Sequence, residues 1–311
     1  MIEFALNYSK AAVSLRRRGR IAIDRFKCPA WPGVIREAQA EGPAYVHFPL
    51  RVGTGLGTAI NTETKETPDW NQFSAMMERT ETPWISLHLG PRPADHPDIP
   101  PESTEPAHVA RIADAAIRDI DAVVDRFGPE RVVAENIFEY HGMHVRAAVL
   151  PEVITRVVET TGCGLLLDVS HARLAARDLG VDPWAYMDAL PVHTIREIHV
   201  TGIQRFDAEW IERLERRGAP QAKIDEYTGR EIDHLPMTPR DWEALSQALR
   251  RIAAGTWECP EIVAFEYGGI GPLFEALTDA SLLSKQVPRM HEMIRTLGEP
   301  ECLVQQEPTY A

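Results

Sequence analysis

Residues 161–202 read TGCGLLLDVSHARLAARDLGVDPWAYMDALPVHTIREIHVTG, and the architecture follows from them. Gly164–Asp168 is a short apolar run, as is Ile195–Val200, and each has the look of a strand buried on both faces. Asp182–Ala189 between them has a helical pattern, so the segment reads strand, helix, strand. The same alternation extends outward in both directions. Further strands are expected at Ile2–Leu6, Ala44–Phe48, Trp84–Leu89, Arg131–Glu135 and Ile262–Glu266. The clearest helix is His108–Phe127. There Ile112, Ala116, Ile120 and Val123 recur at helical spacing, and Gly128-Pro129 stops it. Helices are also expected at Ala147–Thr160, Asp207–Arg217, Pro239–Ala253 and Pro272–Leu297.

This alternation predicts an α/β fold with a parallel sheet. The clear strands are one short of a closed (β/α)8 TIM barrel, and the missing one is placed near Glu231–Leu235 as an irregular seventh strand. An open doubly wound sheet is the competing arrangement. No G-x-G-x-x-G follows the first strand, which weakens a dinucleotide fold. Residues 1–297 read as one barrel domain and residues 298–311 as a polar tail. Pro91–Pro106, PRPADHPDIPPESTEP, is too proline-rich for a helix or central strand. It follows a strand, hence lies on the catalytic face of a barrel, where it is a candidate lid. Ile203–Arg230 is a long insertion with one charged helix. Arg16–Arg20 reads as a solvated basic turn.

The chain has 311 residues, 44% hydrophobic and 25% charged, which excludes a disordered or collagen-like chain. Lys+Arg 33 against Asp+Glu 46 gives a formal net charge of -13. Such a balance disfavours nucleic acid, whose affinity rests on neutralising phosphates. The cysteines, Cys28, Cys163, Cys259 and Cys302, form no C-x-x-C pair and signal neither a thiolate zinc site nor a disulfide framework. No apolar run is long enough to span a membrane, and MIEFALNYSK has no secretory pattern. The simplest expectation is a soluble, cytoplasmic protein.

The chemistry gathers at the strand ends. The strands close on His47, His88, Glu135, Asp168, His199 and Glu266; His171 follows Asp168 by three residues, and Asp233-His234 ends the inferred strand. In a closed barrel these positions converge on one mouth, where active sites sit. A lone histidine on an apolar strand is usually a satisfied core residue, and a lone strand-end acid, Asp168 included, is often a helix N-cap. Recurrence at nearly every strand end is what favours metal ligation. Imidazoles with carboxylates suit zinc, manganese or iron(II). Crowded carboxylates need compensating cations, and the donors exceed what one ion can use, so two or three metals are expected. His96, His108, His144, His193 and His291 lack this placement, while His141 shares a catalytic-face loop and is expected to support the ligands from behind. Gly53–Gly57 is a flexible loop able to approach a substrate or anion. Ser170-His171 is a weak nucleophile–base pair, and no G-x-S-x-G elbow or Walker A loop is present.

The ligand order resembles the xylose isomerase-like TIM-barrel superfamily. The patterns AENIFEY, LLLDVSH, EIHVTG and AFEYGGIGPL, with looser matches at YVHFPLRVGTGLG and WISLHLG, are similar to the multinuclear non-heme iron-dependent oxidative enzymes of the methanobactin-biosynthesis type. That resemblance implies two or three iron ions (Fe2+/Fe3+), O2 as oxidant, a ribosomally made precursor peptide as substrate with cysteine as the modified residue, and a precursor-binding partner protein. It implies metal-ligand roles for His47, His88, Glu135, Asp168, His171, His199, Asp233, His234 and Glu266, with Glu135, Asp168, His199 and Glu266 as the catalytic candidates. Two departures stand out: Gly202 is followed by Ile203 where the family often has a second histidine, and Asp233 and His234 are adjacent rather than spaced by one. Zn2+ or Mn2+ are the alternative metals. A sugar isomerase or epimerase with one divalent ion, using Glu135 and Glu266 as acid and base, is the competing function. An endonuclease IV-like zinc phosphodiesterase is the third, opposed by the net charge.

Overall fold

The structure is a computed structural model that describes residues 2–139 and 142–297. The expected tail at residues 298–311, and His141, lie outside the described residues. Among the described residues, twelve strands occur in chain order: Glu3–Asn7 (β1), Arg25–Pro29 (β2), Ala44–His47 (β3), Leu50–Val52 (β4), Ile60–Asn61 (β5), Ile85–Leu89 (β6), Val132–Glu135 (β7), Gly164–Asp168 (β8), Ile195–Val200 (β9), Gly202–Arg205 (β10), Glu231–Leu235 (β11) and Ile262–Phe265 (β12). The chain divides into two units: Met1–Lys27, Ala40–Pro43 and His199–Ala311 form the first, and Cys28–Gln39 with Ala44–Ile198 form the second.

In the first unit β1 pairs in parallel with β12 and with β2. The strand missing from the sequence pattern is therefore Arg25–Pro29. Glu231–Leu235 is a strand as expected, but it pairs antiparallel with Gly202–Arg205 and not with a parallel neighbour. Gly202 permits this pairing: a Cβ there would fall 1.9 Å from the Pro236 carbonyl oxygen, so only glycine lets the two backbones approach. The insertion carries two helices, Ala208–Arg216 and Gln221–Tyr227. They close over β10 and β11 with a small core of Phe206, Trp210, Leu214, Ile224, Ile232 and Leu235. The helical run expected at Pro272–Leu297 is broken into Pro272–Leu277 and Ala280–Leu297.

In the second unit β4, β6, β7 and β8 run parallel in that order, with β5 antiparallel on the outer edge of β4. β8, sequence GLLLD, is buried at every position, as its unbroken apolar run predicts. β3 bends at Phe48-Pro49 into β4, since Pro49 has no N–H to continue a ladder. Side chains take over the missing pairing: the Val46 N–H donates to Thr82 Oγ1 at 2.9 Å and the Phe48 N–H to Ser86 Oγ at 2.9 Å. The long amphipathic helix runs Pro106–Phe127, close to expectation. A helix, Val169–Leu179, follows β8 directly, ahead of the helical segment expected at Asp182–Ala189, and the helix expected at Ala147–Thr160 begins instead at Pro151. Among the described residues no helix is long and apolar enough to cross a membrane.

The proline-rich segment is a pinned wall and not a loose lid. Arg51 forks onto Asp95, at 2.6 and 3.1 Å, and His96 donates Nε2–H to the Gly53 carbonyl at 2.7 Å. The Gly53–Gly57 loop is likewise committed. Asp119, fully buried, accepts at Oδ2 from the N–H groups of Gly53, Thr54 and Gly55 and the Thr54 hydroxyl, and at Oδ1 from the Gly57 N–H. The amides that looked open to an external anion thus already hold one supplied by the chain.

Candidate metal centre

The second unit assembles the tightest donor group. His47 ends β3, and His88 and Glu135 are register partners on the parallel strands β6 and β7, so their side chains leave the same face. His47 Nε2 and His88 Nε2 stand 3.3 Å apart. Glu135 Oε2 is 3.4 Å from the first and 3.2 Å from the second. Donors held about 2.0–2.1 Å from a divalent ion are separated by roughly 3.0 Å in octahedral and 3.4 Å in tetrahedral geometry. The triangle is therefore already the size of one face of a coordination shell. His88 is aimed by its other nitrogen, which donates Nδ1–H to the Leu50 carbonyl at 2.9 Å and leaves the lone pair on Nε2.

Asp168 and His171 flank the far side of Glu135. His171 Nδ1 is 3.5 Å from Glu135 Oε1 and 3.6 Å from Asp168 Oδ2. Glu135 thus presents one oxygen to the His47–His88 pair and the other toward His171, the disposition of a carboxylate able to bridge two cations. Asp168 also fulfils the capping role: its Oδ1 accepts from the His171 N–H at 2.7 Å at the start of the Val169–Leu179 helix. Asn136, fully buried, holds this corner. Its Oδ1 accepts from the Asp168 N–H at 2.9 Å, its Nδ2 donates to the Asp168 carbonyl at 3.0 Å, and its own carbonyl accepts Nδ1–H of His171 at 2.9 Å. The last bond puts the His171 lone pair on Nε2.

His144 is a further member that strand-end reasoning did not select. It donates Nδ1–H to the Phe138 carbonyl at 3.2 Å, and Nε2 packs over Gly90, two residues past His88. Burial pushes its pKa down to about 4. The neutral ring adds no positive charge beside the imidazoles of His88 and His171.

The first unit carries a second group. His199, fully buried on β9, has Nδ1 3.3 Å from Glu266 Oε1. His234 donates Nδ1–H to the Glu266 carbonyl at 3.1 Å, again leaving Nε2 with the lone pair. Asp233 and His234 are adjacent, and in regular strand their side chains would point to opposite faces. His234 instead has φ +57°, a left-handed conformation that breaks the alternation and brings its Nε2 to 3.9 Å from Asp233 Oδ2. Lys27, on the strand the sequence pattern missed, is buried and ion-paired with Glu266.

These donors fit divalent first-row ions: imidazoles aimed by backbone carbonyls, and buried carboxylates that bare burial would penalise. Among known folds the chain is similar to the crystal structure of D-psicose 3-epimerase in the presence of D-fructose, with TM-score 0.51 and 12% identity over 95% of this chain and 99% of that one. The fold is α/β with a parallel sheet, of the type seen in xylose isomerase-like TIM barrels. A family model described as RiPP precursor modification enzyme MbnB/TglH/ChrH matches residues 36–253, and the chain belongs to that family. A UPF0276 protein of Caulobacter vibrioides is 31% identical over 196 residues, 61% of this chain and 65% of its own length. One from Anaeromyxobacter sp. is 36% identical over 136 residues, 41% of this chain and 44% of its own length. The chain therefore matches less than two thirds of the length of these relatives.

Proposed function

We propose that this protein is a multinuclear iron-dependent oxidase that modifies a residue, cysteine, of a ribosomally synthesised precursor peptide with O2. The observation that carries the metal part is the His47–His88–Glu135 triangle, whose donor separations of 3.2 to 3.4 Å match a coordination shell before any ion is considered. Family membership supports the peptide substrate. Bound iron would supply an acceptor for a substrate thiolate and the electrons for reducing O2.

The chain's own residues hold and orient. His47, His88 and Glu135 would bind one ion; Glu135 Oε1, Asp168 and His171 would hold a second. His199, Asp233, His234 and Glu266 form the remaining donor group. Carbonyl anchors on His88, His171 and His234 fix each ring, so little reorganisation is needed when an ion arrives. The Asp119-braced glycine loop and the pinned proline-rich wall give a peptide a fixed surface. A separate protein presenting the precursor belongs to the same reading.

The test is anaerobic purification with elemental analysis, then iron loading and O2 exposure with cysteine-containing precursor peptides. Two or three irons per chain, O2 uptake and a mass change on the peptide support the reading. Absence of O2 uptake and of any mass change with an iron-loaded enzyme overturns it. Zinc that iron cannot displace, with cleavage of abasic DNA, would assign a phosphodiesterase. One manganese with activity on ketoses would assign an isomerase.

A further inference from the structure

The donor group of the first unit contains a charge that no ligand pattern predicts. Lys27 is 5% exposed and its ammonium is hydrogen-bonded to Glu266 Oε1. Both side chains are nearly sealed from solvent, 6% and 5% exposed. Lysine is almost never buried unless paired, and a buried ion pair is costly to build. The same Oε1 is the atom 3.3 Å from His199 Nδ1. The ammonium therefore sits on the carboxylate oxygen that faces the imidazole, the position a metal ion would be expected to take. The β2 backbone fixes it there, through the pairing of Lys27 with Asn7 on the neighbouring strand β1.

We infer that Lys27 is the resident cation of the His199–Asp233–His234–Glu266 group, taking the charge role of a metal ion there and making this the weak metal site of the chain. The electrostatics differ between the two units. Glu135 is accompanied by the Nε2 atoms of His47 and His88, and Asp168 by the His171 ring. Asp233 and Glu266 are accompanied by imidazoles and by the Lys27 ammonium. A divalent ion arriving at Glu266 must share the carboxylate with the ammonium and bear its repulsion, which is large at contact distance in a poorly screened site. The first ion is thus held by His47, His88 and Glu135, and the ion at Glu266 is held loosely and exchanges. This inference rests on the metal-binding part of the proposed function and is independent of the peptide chemistry.

The experiment is anaerobic equilibrium dialysis of the full chain against iron(II), with bound iron counted by elemental analysis, for the native protein, K27M, K27Q and K27R. The native protein is expected to show a tight and a weak class. H88A is expected to lower the number of tightly bound ions and H234A to remove the weak class. K27M and K27Q are expected to tighten the weak class by at least about tenfold, because the competing charge is gone. K27R keeps the charge and is expected to behave as the native protein. Circular dichroism establishes that each variant is folded. A folded K27M or K27Q that binds iron as the native protein does, or more weakly, overturns the inference: Lys27 would then only position Glu266. Should neither variant fold, the native titration still decides, since loss of the weak class in H88A instead of H234A overturns it. Failure of peptide oxidation alone, with the two classes intact, would leave this inference standing and remove only the proposed substrate chemistry.

Discussion

His47 Nε2 and His88 Nε2 face each other at 3.3 Å. Because the Leu50 carbonyl takes the Nδ1 proton of His88, its Nε2 carries a lone pair when the ring is neutral. A cation satisfies both rings and Glu135 at once. H88A is therefore expected to lose bound metal and to lower oxidase activity by more than about 100-fold, since a ligand matters more than the outer partners that cost 10–100-fold. The metal-free variant is expected to melt no lower than the metal-free native protein. Native metal content in H88A, by elemental analysis, would sink the assignment.

Asn136 ties the end of β7 to the end of β8 with two hydrogen bonds to the Asp168 backbone. N136A leaves a buried N–H and a buried carbonyl without that clamp, at a cost of about 2–4 kcal/mol. It also leaves the Asp168 carboxylate and the His171 ring less well held, so metal affinity is expected to fall about 10–100-fold. Urea unfolding and metal titration read the two effects separately. Unchanged affinity in a destabilised variant would show that Asn136 serves only the fold.

Asp119 is the internal anion of the glycine loop, and D119A removes every acceptor for the Gly53, Thr54, Gly55 and Gly57 amides. A loss of about 3 kcal/mol is expected, with water replacing part of what is lost. Hydrogen exchange should accelerate at residues 53–57 and at Asp95–His96, because His96 is anchored on the Gly53 carbonyl. Exchange confined to residues 53–57 would mean that the proline-rich wall is held without the loop.

The strand-end donors were legible in sequence because each ends a short apolar run whose pattern is local. His47, His88, Glu135, Asp168, His199 and Glu266 all fall where that pattern put them. β2 was not legible. Its RFKCP alternates charge with apolar residues, and its cations are neutralised by remote partners, Arg25 by Glu3 and Lys27 by Glu266. Distant pairing of this kind has no signature in a window of sequence. The same holds for Asn136, which acts on a backbone 32 residues away, and for Asp119, which fills a loop 62 to 66 residues before it. Asp233-His234 carried a half-signal: the residue types stand in the sequence, and the left-handed conformation at His234 that brings Nε2 to 3.9 Å from Asp233 Oδ2 was invisible.

His144 gives a pH dependence with a definite sign. A histidine in the unfolded chain titrates near 6.5. In the fold, burial holds His144 down to about 4. Between those values the unfolded chain binds a proton that the folded chain refuses. Stability therefore falls as the pH drops from about 6.5 toward about 4, and this group contributes no slope above that window. H144Q keeps a donor for the Phe138 carbonyl and removes the titration. Urea unfolding of the metal-free proteins at several pH values separates the two. The native protein is expected to lose stability relative to H144Q on acidification below about 6.5. A difference that stays constant from neutral pH to pH 5 would show that the ring is protonated as readily in the fold as in the unfolded chain, and that it does not stay neutral beside His88 and His171.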